Sequence, residues 1–180
     1  MERSEAIATD CAGEKPMRYL LFTYQANLAH ITRLVGDLTD DQMVQQPHGL
    51  VNHPAWTLGH LAEVSDFVAT VMGLESTFPE DWRELFRAGQ RMPPGGHASA
   101  YPPRERLLAE LTAQHARVAD SVANADPAFL AGEHPAEKLK ERFPTMGDLV
   151  GHVLSAHEAN HIGQIAAWRR AMGLAPMARP

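Results

Sequence analysis

Near the end of the chain, His157-Glu158-Ala159-Asn160-His161 matches H-E-x-x-H, the pattern with which zinc metalloproteases hold an ion and activate water. Histidines four residues apart stack on one face of a helix, so both imidazoles can reach one divalent ion. Two ligands do not complete a site, and a protease takes its third from downstream. From Ile162 to Pro180 there is neither a histidine nor a carboxylate. The extended H-E-x-x-H-x-x-G-x-x-H form also fails, with Gln164 and Ala167 where glycine and histidine should stand. The protease reading is discarded. Glu158 loses its automatic role as general base and, about 100° around the helix from His157, is expected to be a flank residue. A di-iron bundle, which repeats E-x-x-H on two helices, is not the pattern here either.

The third ligand has to come from another helix, and His60 is the candidate. It lies on an apolar stripe between Trp56 and Val64, and His157 and His161 share a face with Val150, Leu154, Ile165 and Trp168. All three imidazoles are therefore expected inward, in a set that leaves positions on the ion open; zinc, then nickel, suits such ligands. A lone inward histidine is more often a hydrogen-bonded core residue, the reading given to His115. His53, before Pro54, suits a helix cap or loop. His30 falls at the edge of a stripe, His152 is expected on the solvated side of its helix, and His48, His97 and His134 lie in polar loops. Tyr24, Asn27, Glu63 and Gln164 are candidate pocket residues: Gln164 stands one turn past His161, Glu63 three residues after His60, and Tyr24 and Asn27 on an inward face.

Four segments with helical periodicity must position these groups, and strand-like alternation is lacking. They run from about Pro16 to Gly36, Pro54 to Gly73, Pro103 to Ala123, and Thr145 to near Gly173. Their inward faces include Leu20, Ile31 and Leu34; Phe67 and Val71; Leu108, Leu111 and Val118. Thr145 and Asp148 resemble a capping pair, and Arg169 and Arg170 suit the last turns. A short amphipathic piece at 80–88 precedes a Pro- and Gly-rich loop at 89–103. Four such helices bury their faces most simply as an all-α four-helix bundle with a long loop between helices 2 and 3. Residues 1–15 read as a flexible tail and 16–180 as one domain.

Acidic residues outnumber basic ones by 22 to 16, a formal charge of −6, and there is no basic stripe, so nucleic acid is not the expected partner. No apolar run reaches the length of a membrane span, and the start lacks the pattern of a signal peptide. The single cysteine, Cys11, excludes an internal disulfide framework and fits a reducing, cytoplasmic setting.

"TLGHLAEV" at 57–64, "HEANHIGQI" at 157–165 and "YQANLAHITRL" at 24–34, with "YPP" leading into the third helix, resemble the DinB-like (DinB/YfiT) superfamily over nearly the whole chain. The resemblance implies an up-down-down-up bundle, frequently a homodimer, with a divalent metal on the positions of His60, His157 and His161. Some members of that superfamily are mycothiol-dependent isomerases and transferases or bacillithiol transferases. The implied function is a metal-dependent transferase whose small-molecule partner is a low-molecular-weight thiol. Metal-dependent hydrolysis and a non-catalytic metal-binding or stress-response module are the alternatives.

Overall fold

The structure, a computed structural model, describes residues 17–89, 97–134 and 136–175. The expected tail at 1–15, Cys11 and the middle of the 89–103 loop lie outside them. Among the described residues the regular secondary structure is helical, apart from one isolated bridge, Glu133 with Thr145. The long elements are α1 (Arg18–Val35), α2 (Pro54–Val71), α3 (Arg104–Ala123) and α4. The last comprises Met146–His152, a π-helical segment Val153–His157, and Glu158–Ala171. Short turns of helix fill the connections, among them Asp40–Met43, Arg83–Phe86 and Pro127–Ala131.

Local chemistry accounts for the helix starts. Pro54 occupies the first turn of α2, where its missing N–H costs nothing, and the His53 ring accepts from the Trp56 N–H as the cap. The Thr145 side chain accepts from the Asp148 N–H, and the Asp148 carboxylate accepts from the Thr145 N–H, closing a capping box.

Long-range bonds fix the directions. Arg104, at the start of α3, donates to the carbonyls of Gly36 and Leu38, just past the end of α1. Arg169, near the end of α4, donates to the carbonyl of Leu34 and both oxygens of Asp37. Asn52, just before α2, reaches Gln164 on α4. Helices α1 and α4 therefore run one way and α2 and α3 the other, an up-down-down-up four-helix bundle.

Because α2 and α3 are parallel, the chain between them must return along the whole length of α2. The Asp66 carboxylate pins the start of this strap, accepting from Ser76, Thr77 and Phe78. The Phe86 ring then lies over Gly59, where an added Cβ would stand only 2.3 Å from ring carbons. Tyr101 closes the path against the His53 ring, 4.6 Å between centroids.

The interior has two apolar clusters. One gathers Ile31, Leu58, Phe86, Leu111 and Trp168, the other Val68, Val118, Leu149 and Leu154. Two expectations about faces are corrected. Phe67 is 41% exposed, and Leu107 rather than Leu108 is the fully buried leucine of its pair. The π-helical segment changes the angular register of α4, so a single α-helical wheel does not describe its length; wheel arithmetic has no means of finding it.

Candidate metal centre

Each of the three histidines predicted to meet arrives from a long helix. His60 projects from α2, and His161 from the α-helical stretch that follows the π segment, whose last residue is His157. One ligand atom from each lies within 4.8 Å of the others. The imidazole centroids are 4.8 Å apart for His157 and His161, 5.2 Å for His60 and His161, and 5.4 Å for His60 and His157. His60 and His161 are buried and His157 half-buried. No carboxylate belongs to the cluster.

The surroundings keep two of these rings neutral. Burial pushes the His157 imidazole down to about 3 and His161 down to about 4, with further lowering from neighbouring histidines. Neutral imidazoles present lone pairs, as a divalent ion requires. Two rings are also oriented. The Nδ1–H of His60 donates to the Phe86 carbonyl at 3.1 Å, and that of His161 to Gln164 Oε1 at 3.1 Å. Gln164 Oε1 in turn accepts from Asn52 at 3.0 Å. Trp56 stacks on His60, with 4.6 Å between centroids. Such outer bonds fix the tautomer and aim of a ligand, here leaving Nε2 of both rings free to ligate. Two buried imidazoles and one half-buried, without a carboxylate, fit a divalent metal ion in ligand type and number.

The other candidates divide. Gln164 is at the cluster, and Glu63 Oε2 is 3.7 Å from His60 Nδ1. Tyr24 and Asn27 belong instead to a second polar group centred on Glu158. That residue is no exposed flank: it is 1% exposed, and its Oε1 lies 2.6 Å from His115 Nε2. Tyr24 stacks on His115 with centroids 3.7 Å apart and hydrogen-bonds Ser65 at 3.0 Å. Burial pushes the Glu158 carboxyl up, against the pull of His115 and Asn27. Asn27 acts there without an aligned hydrogen bond, since its Nδ2 reaches no acceptor in good geometry. The Glu158 carboxylate thus faces α1 and α3, and the H-E-x-x-H letters do not carry their protease meaning here.

His53 caps α2 as expected, and His115 is a core histidine as expected, with a charged partner that sequence reasoning missed. His152 is corrected: it is half-buried, with its ring 4.9 Å from that of Phe143. His134, expected in a polar loop, is 2% exposed. Asn52, Gly59 and Phe86 were also missed. The glycine directly before His60 was the one available signal, since close approach by another group is a common reason for glycine inside a helix.

Comparison with known families matches the DinB superfamily model to residues 23–165. No protein of curated function matches the chain.

Proposed function

Because the chain belongs to the DinB superfamily, we propose that His60, His157 and His161 hold one divalent ion, zinc before nickel, for transfer of a low-molecular-weight thiol to a small electrophile. The observation that carries this reading is the approach of three ligand atoms to within 4.8 Å, all from imidazoles. When bound there, an ion keeps its full double charge and lowers the pKa of a thiol beside it. The protein's part is to hold the three rings inward, with His157 and His161 kept neutral by burial and with Gln164 and the Phe86 carbonyl aiming two of the three. The nucleophile comes from outside, because the chain's one cysteine is Cys11, before the helical domain. We further assign the protein to the cytoplasm as a homodimer, on its charge, its cysteine content and its family; light scattering that shows a monomer at high concentration would remove the dimer.

The test joins metal analysis of the purified protein to a thiol-consumption screen against generic electrophiles. Wild type is expected to carry about one ion per chain, one site being all that the three ligands can furnish. His60→Ala should lose both metal and turnover, and Cys11→Ser neither. Full metal content in His60→Ala would refute the ligand set. Ester cleavage without thiol consumption would transfer the reading to hydrolysis, and inactivity in both assays to a binding module.

A further inference from the structure

The three histidines are not held alike. The His60 ring is fixed by a backbone carbonyl and by the stacked Trp56 indole. The His161 ring is fixed by Gln164, itself held by Asn52. Among the described residues His157 has no such partner: its Nδ1 is buried and makes no hydrogen bond. It is also less enclosed, half-buried where His60 and His161 are 5% and 6% exposed. Finally, it is the last residue of the π-helical segment Val153–His157. A π turn carries one more residue per hydrogen-bonded ring than the α-helix and is less favourable, so it persists where the surroundings sustain it and can relax.

Partner, enclosure and backbone are separate observations, and all three single out the same ligand. The geometry points to His157 as the exchangeable ligand of the set, with His60 and His161 as the permanent pair. The inference rests on the metal reading above and adds how the site admits a substrate. Were an incoming anion to crowd the open positions of a bound ion, His157 would be the ring to give way, without loosening the other two. Gln164 and Asn52 act as positioning residues, because their bonds set the aim of His161.

Cobalt(II) as probe reports affinity and ligand geometry through its visible spectrum, independent of turnover. Wild type should bind it. His157→Ala should keep binding, with an affinity loss no larger than an outer partner of a ligand usually costs, about 10- to 100-fold, and free imidazole should restore its spectrum. His60→Ala and His161→Ala should bind far more weakly and resist rescue. Gln164→Ala should weaken binding about tenfold and make His161 as exchangeable as His157.

A second measurement uses the intact zinc-loaded protein with nitrogen-15-labelled histidines, titrated with 2-mercaptoethanol. Only the His157 ring should move towards its metal-free position. Equal losses in the three alanine variants, or movement of the His60 or His161 ring first, would overturn the inference while leaving the metal site standing. A wild-type protein that binds neither cobalt nor zinc would instead remove the metal reading itself.

Discussion

At the scale of single residues, the closest contest is between Glu158 as a base and Glu158 as a structural charge. Its Oε1 is 2.6 Å from His115 Nε2, both side chains are almost wholly buried, and neither belongs to the three-histidine cluster. Breaking a buried pair from one side leaves an uncompensated charge or a costly protonation, typically about 3–5 kcal/mol. His115→Ala should therefore destabilise the protein by that order in urea unfolding. Glu158→Gln keeps shape and an acceptor, so it should cost less and leave most thiol turnover intact. A collapse of turnover in Glu158→Gln with unchanged metal content would restore the base. The sequence made the inward aim of His60, His157 and His161 legible because apolar stripes report direction. It concealed the burial of Glu158, because a carboxylate beside a predicted ligand looks the same on a helical wheel whether solvent or His115 faces it.

Elements explain what the rings need. Helix α2 approaches the strap so closely at Gly59 that the Phe86 ring occupies the space of a side chain. Phe86 is fully buried among Phe78, Trp82 and Tyr101, so the ring has little room to retreat. Gly59→Ala should cost about 1–3 kcal/mol through overpacking, despite the better helix propensity of alanine. It should also weaken metal binding, because the same displacement carries the Phe86 carbonyl away from His60. Gly163→Ala is the control: nothing lies within 4 Å of its added Cβ, and it should be neutral or stabilising by up to about 1 kcal/mol. Equal unfolding midpoints and metal affinities in both variants would disprove the coupling. Helix starts at Pro54 and Thr145 could be read from capping chemistry, which is local. The strap could not, since its contacts join residues far apart in the chain and leave no periodic trace.

For the whole molecule, the interior histidines set how stability responds to acid. Burial lowers His53 to about 4, His161 to about 4 and His157 to about 3, all from 6.5. Below pH 6.5 the unfolded chain takes up protons that the folded one refuses, so stability falls as pH drops towards 4. Each group contributes at most about 1.4 kcal/mol per pH unit in that window. Glu158, with its carboxyl raised, works in the opposite sense over part of it. Urea midpoints of the metal-free protein should decline from pH 6.5 to 4, and a flat profile would contradict the neutral, buried state of these rings. The topology bears on a different matter. An up-down-down-up order obliges the strap to travel the length of α2, and in doing so it delivers the Phe86 carbonyl to the His60 ring. Whatever reshapes the strap, a segment that contains none of the three histidines, should therefore reach the aim of one of them without altering a single residue of the cluster.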